Sequence, residues 1–366
     1  MIKILWLSPT FNHYKARFLN HLASAEEIDL TILAGSGRNE KENKETDDKW
    51  NFKLINTFVP KSKFGFSSEI RKLLSGEFKN QDWILIPAEK KNLPLFLFVL
   101  GLQFFHKKTK LISYNHPVLK SGEGKITFMD KLITKFFYKK LDRVVFYTRQ
   151  SCEWAIENQL VAPRKAFWTN NTVDDIEIDK YYQFEFPFIE TFTILFIGRL
   201  IPSKKVKVLL QYFQELQNQM KKTDITLEII GDGVDENLIE KAQKENDKIK
   251  WHGTLINEFD IAPIMKRANF VFVPGLSGLS INHAFAYGRP YFTLQSNGHG
   301  PEIAYLIDNE NGFILSGELQ SDVEKIKNFL LNKEKMKSFC SKAKEKSIEN
   351  SVDKWVLNMK NAFTHE

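Results

Sequence analysis

The sequence predicts an α/β protein built from two parallel β-sheets, each flanked by helices. Short apolar, β-branched runs alternate with longer helical patterns along the 366 residues, which is typical of repeated βαβ units. At roughly 100–200 residues per domain, a chain of this length most simply forms two domains. Its 43% hydrophobic and 27% charged residues can build a large core, so a disordered chain is excluded.

The candidate strands fall into two series. The first series is Ile2–Leu7, Asp29–Leu33, Leu54–Phe58, Trp83–Pro87, Lys110–Tyr114 and Arg143–Tyr147. The second series is Thr193–Ile197, Thr226–Ile230, Ile249–His252, Phe270–Pro274 and Tyr291–Leu294. Between the two, Asp179–Thr191 is rich in aromatic and acidic residues and shows no clear period. We therefore predict an N-terminal domain over residues 1–185 and a C-terminal domain over residues 186–347.

The end of the chain, residues 348–366, predicts a separate C-terminal helix. An apolar stripe recurs there at helical spacing: Val352, Trp355, Val356, Met359 and Phe363. Such a stripe must pack against a core, and we expect the helix to cross back to the N-terminal domain. Elsewhere, the polar stretch from Ser36 to Lys49 has no apolar side chain to bury and predicts a loop.

Composition also bears on location. Two cysteines, Cys152 and Cys340, cannot form a disulfide framework, and no spacing suggests a structural zinc site. The longest apolar stretch, Leu93–Phe105, is well short of the ~20 residues that cross a bilayer. We therefore expect a cytoplasmic protein without a transmembrane span.

The net charge of +7 is concentrated in one segment. Between Lys107 and Arg149, eleven basic residues stand against three acidic ones, so this segment holds the whole excess. A local basic field attracts phosphates or an anionic membrane face. Core packing explains most of the aromatic residues between Ile126 and Leu141, while the lysines remain candidates for docking on the inner face of a membrane. Nucleic acid is not expected as a partner, because no helix-turn-helix, RNP or zinc signature is present.

The first strand-to-helix turn argues against a dinucleotide cofactor. Residues 8–13 are Ser-Pro-Thr-Phe-Asn-His, where a dinucleotide-binding domain would have Gly-x-Gly-x-x-Gly for close approach to a pyrophosphate. The sequence also contains neither a Walker A loop nor an Asp-x-Asp metal motif. We expect no cofactor, and any phosphate chemistry should be free of metal.

Three turns in the second half are more informative. In the first, Arg199 and Lys204 flank a short proline-containing loop after a strand. Two such cations can converge on one anion, because ligands bind outside the carboxyl ends of parallel strands; a solvated basic loop is an equally good explanation of these residues alone.

The second turn lies within Pro274–Pro290, where small residues precede a helix predicted to begin near Gly278. Free backbone amides near Leu279 and Ser280 would suit a diphosphate. The third turn, Ser296–Glu302, again combines glycines with a helix start. We expect all three turns at one edge of the sheet.

In order and spacing, these pieces resemble the donor-binding domain of the retaining, GT-B-fold glycosyltransferases of family 4, the glycosyl transferases group 1 domain. The matching pieces are Gly198-Arg199-Leu200 with Lys204, Ile230–Gly233, Trp251–Gly253, Pro274–Pro290, Pro301-Glu302 and Asn311-Gly312. Upstream, Asn170–Asp174 resembles the element that closes the family's N-terminal domain. The resemblance covers nearly the full chain.

The resemblance implies two Rossmann-like domains that face an interdomain cleft, with the acceptor bound by the first and a nucleotide-sugar by the second. It implies transfer of the sugar, with retention, to a saccharide or lipid-linked acceptor during assembly of bacterial surface glycans. The implied catalytic residues are Arg199, Lys204 and His116. The implied donor-binding residues are Gly198, Gly231, Gly278, Leu279, Ser280, His283 and Glu302. His13, Tyr14 and Arg17 stand on the acceptor side.

The sequence departs from the family at two positions. The family's usual signature has two glutamates eight residues apart, and those positions hold Gly275 and His283 here; the chain is similar to a bacterial subgroup with this histidine. His283 could bind a ribose hydroxyl, whereas Gly275 offers only backbone. Two alternatives stay open: a non-catalytic protein that binds nucleotide-sugar, and a sugar-nucleotide 2-epimerase on the same fold, although that class lacks the Gly-Arg-Leu and Lys pattern.

Overall fold

A computed structural model of the protein describes residues 1–11, 13–36, 50–119, 126–188 and 190–365, without the side chains of His13 and Tyr14. The chain separates into two compact units. The first combines Met1–Asn171 with Val352–Glu366, and the second is Thr172–Ser351. The polar stretch from Ser36 to Lys49 is predicted to form a loop. Residues 37–49 of this stretch lie outside the described part of the chain.

The first unit is built on a seven-stranded parallel sheet. Its strands are β1 (Ile2–Ser8), β2 (Ile28–Ala34), β3 (Lys53–Asn56), β4 (Trp83–Leu85), β5 (Lys110–Asn115), β6 (Arg143–Phe146) and β7 (Ala166–Trp168). Its helices are α1 (His13–Ala23), α2 (Ser68–Glu77), α3 (Leu93–Phe105), α4 (Phe128–Lys140), α5 (Arg149–Glu157) and, from the end of the chain, α13 (Val352–Thr364). The strand order is β3-β2-β1-β4-β5-β6-β7.

This order places helices on both faces of the sheet, because right-handed crossovers in opposite directions lie on opposite sides. One core contains residues of α2 to α5, and another contains residues of α1 and α13. In the second core the Trp355 ring lies 4.7 Å from the Phe18 ring, and its Nε1 donates to the Tyr114 hydroxyl at 3.1 Å. The last helix therefore packs on the first unit, as expected from its apolar stripe.

The second unit is built on a six-stranded parallel sheet. Its strands are β8 (Phe192–Ile197), β9 (Ile225–Ile230), β10 (Ile249–Trp251), β11 (Phe270–Phe272), β12 (Tyr291–Leu294) and β13 (Gly312–Leu315). Its helices are α6 (Asp175–Asp179), α7 (Val206–Gln219), α8 (Glu236–Glu245), α9 (Glu258–Arg267), α10 (Ser280–Ala286), α11 (Leu319–Leu331) and α12 (Lys333–Glu349). The strand order is β10-β9-β8-β11-β12-β13. Both units are Rossmann-like.

Every predicted strand is present, with ends that shift by a few residues. β4 and β11 each end before the proline that the prediction included, because proline has no amide to donate to a neighbouring strand. Two strands were not predicted: β7, which has three residues at the edge of its sheet, and β13. Both are too short to show a period of their own.

The structure divides the chain between Asn171 and Thr172, so the predicted boundary near residue 185 is wrong. The segment from Thr172 onward packs into the second unit. Val173, Ile178 and Tyr182 are buried in the core of that unit. The Tyr182 hydroxyl donates to the carbonyl of Tyr287 at 3.2 Å. The segment before β8, which contains α6 and the stretch without a clear period, is therefore held by aromatic and polar contacts that the sequence pattern does not show.

The described part of the chain contains no helix that is long and apolar enough to cross a membrane.

Candidate functional site

The three turns singled out in the sequence lie side by side. β8 pairs with β11, and β11 pairs with β12, all in parallel. The turns that follow these strands therefore meet at the carboxyl edge of the second sheet, where open α/β sheets bind their ligands. The expected common edge is confirmed.

Backbone hydrogen bonds join the turns after β8, β9 and β10. The amide of Gly198 donates to the carbonyl of Ile230 at 3.0 Å, and the amide of Gly231 donates to that of Gly253 at 2.7 Å. Gly231 has a φ of +134°, and a Cβ at this position would lie 1.9 Å from the carbonyl oxygen of Gly198. Only glycine fits there, so the backbone of the first turn is held closely by its neighbours.

The side chain of Lys204 braces the turns after β8 and β11. Lys204 ends a short 3₁₀ turn, and its Nζ donates to the carbonyl of Leu276 at 2.5 Å. In the other direction, the amide of Leu276 donates to the carbonyl of Ser203 at 2.8 Å. The aliphatic stem passes over Gly198, with Cε 3.7 Å from where a Cβ would stand.

Arg199 and Glu302 both act electrostatically on Lys204. The pKa of Lys204 is lowered to about 8, chiefly by burial and then by the positive charge of Arg199, while the carboxylate of Glu302 acts in the opposite direction. Arg199 is exposed, and it lies within electrostatic range of the half-buried Lys204. Two like charges within this range are unfavourable until an anion arrives, and a strongly shifted pKa in a cluster of charges is typical of functional sites.

Close packing explains why position 275 holds glycine. A Cβ on Gly275 would lie 2.2 Å from the carbonyl oxygen of Ser203 and 2.4 Å from the Cα of Lys204. No longer side chain can leave the backbone here without moving the Lys204 turn. A carboxylate is nevertheless near: Glu302 is only 4% exposed, and its Oε2 lies 3.5 Å from where a Cβ on Gly278 would stand.

His299 joins the turns after β11 and β12. Its Nδ1 accepts a hydrogen bond from the amide of Ser277 at 3.0 Å, and its Nε2 contacts the carbonyl of Leu294 at 2.9 Å. Together these bonds select the neutral tautomer with the proton on Nε2. Burial lowers the pKa of His299, and Lys204 lowers it further. The sequence analysis did not single out His299; its place between two glycines of the third turn was the available signal.

The helix after β11 begins at Ser280, slightly later than the predicted start near Gly278, and has only seven residues. The hydroxyl of Ser280 lies 2.7 Å from that of Tyr291, which in turn donates to the Ser277 hydroxyl at 3.0 Å. The Ser280 side chain therefore points into the core. Its backbone amide and that of Leu279 belong to the first turn, where amides lack partners within the helix.

His283 is placed in the core. It is 4% exposed, and its Nε2 lies 3.1 Å from an oxygen of Glu258, which also accepts a hydrogen bond from the Tyr287 hydroxyl at 2.8 Å. These contacts hold His283 against α9. The charged residues that act on Lys204, Arg199 and Glu302, lie instead in the turns after β8 and β12. The sequence analysis did not single out Glu258, because nothing in its local pattern relates it to α10.

In the first unit, His116 and helix α1 both stand at the carboxyl edge of the sheet. His116 directly follows β5, is exposed, and lies edge-on to the Tyr147 ring at 4.9 Å. Its carbonyl oxygen accepts a hydrogen bond from the Tyr138 hydroxyl at 2.8 Å, which holds the backbone at this point. Arg17 is half-buried on α1, while the side chains of His13 and Tyr14 lie outside the described part of the chain.

Lys15, which the sequence analysis passed over, lies on the same helix. Its Nζ donates to the carbonyl of Thr10 at 2.9 Å. The pKa of Lys15 is lowered to about 8, chiefly by burial and then by the positive charge of Lys61, while the carboxylate of Glu89 acts in the opposite direction. The sequence feature that could have indicated Lys15 is its position as a basic residue in the first turn of the helix that follows β1.

Comparison with known proteins agrees with this geometry. Residues 191–332, within the second unit, match the sequence model of the family Glycosyl transferases group 1. No sequence among the curated proteins matches the chain significantly.

Among solved structures, HepE of Anabaena in complex with UDP shares 15% identity at a TM-score of 0.70, with 100% of both chains covered. Sucrose-phosphate synthase from Thermosynechococcus elongatus shares 14% identity at a TM-score of 0.72, covering 99% of this chain and 98% of its own. The lipopolysaccharide outer core galactosyltransferase WaaB in its apo form shares 13% identity at a TM-score of 0.67, with 99% of both chains covered. The protein therefore has the GT-B fold, and residues 191–332 of its second unit match the Glycosyl transferases group 1 family.

Proposed function

We propose that the protein is a glycosyltransferase that moves a sugar from a nucleotide-sugar donor to a saccharide or lipid-linked acceptor. The transfer proceeds with retention, without a metal ion, and serves the assembly of bacterial surface glycans at the inner face of the membrane. The match of residues 191–332 to the Glycosyl transferases group 1 family supports the reaction class. HepE, one of the similar structures, is known in complex with UDP-glucose, which makes a uridine donor the first to test.

The observation that carries the proposal is the half-buried Lys204 ammonium, braced against the Leu276 carbonyl and within electrostatic range of Arg199. Both cations stand in the turn after β8, at the carboxyl edge of a parallel sheet, and Lys204 contacts the turn that precedes α10. This arrangement suits a diphosphate, because two cations and backbone N–H groups can share its charge.

In the reaction, the acceptor oxygen forms a bond to the anomeric carbon of the donor, and its proton passes to the leaving diphosphate or to water. The bond from that carbon to the diphosphate oxygen breaks, and the nucleoside diphosphate leaves with the electron pair. Negative charge therefore grows on the diphosphate in the transition state. Arg199 and Lys204 are prepositioned to stabilise it, a role for which a metal ion is an alternative. Within the described ranges, no group of three or more His, Cys, Asp or Glu residues is placed to hold a metal.

The first unit would bind the acceptor, through α1 with His13, Tyr14 and Arg17. His116 would lie near the donor sugar, as the family resemblance implies. Its exposed ring and fixed backbone suit a residue that presents a side chain to a substrate. Exchanging His116 for Asn would test this role, and we expect slower transfer with unchanged binding of the nucleotide.

A panel of nucleotide-sugars measured by thermal unfolding tests the donor site directly. A ligand that binds only the folded protein raises its apparent stability by RT ln(1 + [L]/Kd). We expect one nucleotide class to raise Tm in the wild type and to lose most of this effect in Arg199→Ala. If no nucleotide-sugar and no nucleoside diphosphate raises Tm, the proposed donor site is wrong.

The second candidate is a protein that binds nucleotide-sugar without turnover. Two observations favour it: Gly275 leaves no room for a glutamate, and His283 is bonded to Glu258 in the core. Assays of donor hydrolysis and of transfer, run with the nucleotide-sugar that raises Tm most, separate the two candidates. Binding without release of nucleoside diphosphate, across a range of saccharide and lipid-linked acceptors, would establish the non-catalytic alternative.

A further inference from the structure

Helices α3 and α4 lie next to each other on one side of the first sheet. They connect β4 to β5 and β5 to β6, which are successive steps in the same direction across the sheet and therefore place both helices on the same face. The Phe96 ring of α3 stacks on the Phe137 ring of α4 at 3.9 Å and meets the Phe136 ring edge-on at 6.4 Å. Their outward-facing side chains thus form one continuous surface, which we call the α3/α4 face.

The α3/α4 face exposes large apolar side chains. Helix α3 has thirteen residues, none of them charged, and only part of it is buried in the core. The exposed apolar residues of the face are Leu97, Phe104, Phe105, Phe128, Leu132 and Phe136. Phe104, Phe105 and Phe128 are each more than 70% exposed, at 72%, 78% and 75%. An exposed apolar surface that extends over two helices is typical of an interaction site.

Basic residues border this face. Lys107 and Lys108 follow α3, and α4 ends with Lys139 and Lys140, all of them exposed. Only one acidic residue lies on α4, and this residue, Asp130, is buried and paired with Lys90 of its own unit.

The basic border continues into a cavity of about 250 Å³ at the amino edge of the sheet. Its charged lining residues are Lys110, Asp142, Arg143, Arg164 and Lys165. Lys165 joins the cavity to α4, since its Nζ donates to the carbonyl of Leu141 at 2.5 Å. Gln103 joins it to α3, since its Nε2 donates to Asp142 at 3.3 Å. Four cations and one carboxylate therefore line a groove that is continuous with the apolar face.

We propose that the α3/α4 face docks on an anionic lipid bilayer, with the aromatic side chains in the interface and the basic border against lipid phosphates. Charge decides between a bilayer and a second copy of the chain. A two-fold contact through this face would place two copies of the basic border in one interface, whereas anionic headgroups neutralise the border. Neither helix needs to cross the bilayer, because an apolar face with a lysine border is the pattern of helices that lie in the interface.

Docking on a bilayer deepens the proposed function, because it would bring the protein to a lipid-linked acceptor in the same bilayer. Only this link to the acceptor rests on the proposed function. Docking itself is measured without donor or acceptor. We expect the full chain to sediment with vesicles of phosphatidylcholine and phosphatidylglycerol, to sediment far less with phosphatidylcholine alone, and to be released as salt rises.

Two variants and two matched controls test the surface. Phe104→Ser with Phe105→Ser removes exposed rings, and Lys139→Glu with Lys140→Glu reverses two exposed charges; each should weaken partitioning onto anionic vesicles about tenfold or more. Phe58→Ser, at a phenylalanine that is 95% exposed outside the face, and Lys221→Glu with Lys222→Glu, at an exposed pair in the second unit, should leave it unchanged. Unaltered Tm shows that each variant is folded.

Three results would overturn the proposal. The first is no sedimentation with anionic vesicles at low salt. The second is equal binding to neutral and anionic vesicles. The third is a dimer in size-exclusion chromatography that Phe104→Ser with Phe105→Ser dissociates, because the face would then be covered by a second copy. None of these outcomes affects the Tm measurements with nucleotide-sugars, which test the donor site separately. Failure of docking is therefore distinguishable from failure of glycosyl transfer.

Discussion

Two half-buried lysines, Lys15 in the first unit and Lys204 in the second, stand at the carboxyl edges of their sheets and have similar surroundings. Lys15 and Lys204 both donate to a backbone carbonyl, and burial lowers the pKa of each to about 8. Each is also affected by one further cation and one carboxylate, Lys61 with Glu89 in the first unit and Arg199 with Glu302 in the second. The same fold has thus produced similar electrostatics twice.

The two lysines differ in what they connect. Lys15 bonds to Thr10, in the turn just before its own helix. Lys204 bonds to Leu276, which belongs to a turn from another strand, and that turn bonds back to Ser203. A contact within one turn affects only that turn, whereas a contact between two strands fixes the position of both. In the second unit Lys204 thus holds two turns of the edge together, which is what a site for a developing charge requires.

The largest expected effect is the loss of either cation of the second unit. Arg199→Ala and Lys204→Ala should each lower turnover at least about a hundredfold, because removing one prepositioned donor to a developing negative charge costs on the order of 3 kcal/mol. Steady-state transfer rates measure this, with Lys207→Ala, an exposed lysine on α7, as the matched control. Near-normal rates in either variant would refute the assigned role.

A second prediction concerns the packing of glycine. Gly275→Ala should destabilise the protein by about 1–3 kcal/mol and weaken donor binding, because its methyl group would overlap the backbone of Ser203 and Lys204. Gly76→Ala in α2 is the matched control, since nothing lies within 4 Å of the added methyl group. It should stabilise the helix by about 0.5–1 kcal/mol. Tm of both variants gives the comparison, and a stable Gly275→Ala protein would show that the turns are less closely packed than described.

The third prediction uses pH to tell the two lysines apart. A lysine whose pKa is about 8 is charged below that pH and neutral above it, so kcat/KM for the donor should fall as pH rises past 8. Bound diphosphate stabilises the charged form, so kcat itself should persist to higher pH. In Lys204→Arg the guanidinium stays charged, and the alkaline fall should vanish from the remaining activity. If the fall persists there and disappears in Lys15→Arg, the lysine of the first unit controls it.

The smallest expected effect belongs to His299. Because burial holds its pKa below the usual value near ~6.5, the unfolded chain takes up the proton first as pH falls. The free energy of unfolding should therefore decrease below that pH, and the Ser277 amide should lose its acceptor. Tm measured at neutral and mildly acidic pH should fall less in His299→Gln than in the wild type, with His106→Gln as control. If Tm falls equally in His299→Gln and in the wild type, groups other than His299 cause the acid sensitivity.

Local sequence was sufficient for every strand except β7 and β13 and for the three turns. Apolar runs bounded by proline and glycine placed β8, β11 and β12 close to their true ends, and parallel pairing then put Arg199 and the Gly278 turn on one edge. Contacts between distant residues were not accessible in this way. His283 is an example: its motif position suggests a ribose ligand, but Glu258 on another helix holds it in the core.

The sequence by itself determined the α/β class, the two parallel sheets and the presence of two cations in one turn, since these follow from short-range periodicity and from residue type. Only the tertiary structure decided that Lys204 bonds to the carbonyl of Leu276, that Gly275 leaves no space for a carboxylate and that residues 172–185 join the second unit. The physical reason is that burial and close packing depend on groups far apart in the chain, and these have no local pattern to reveal them.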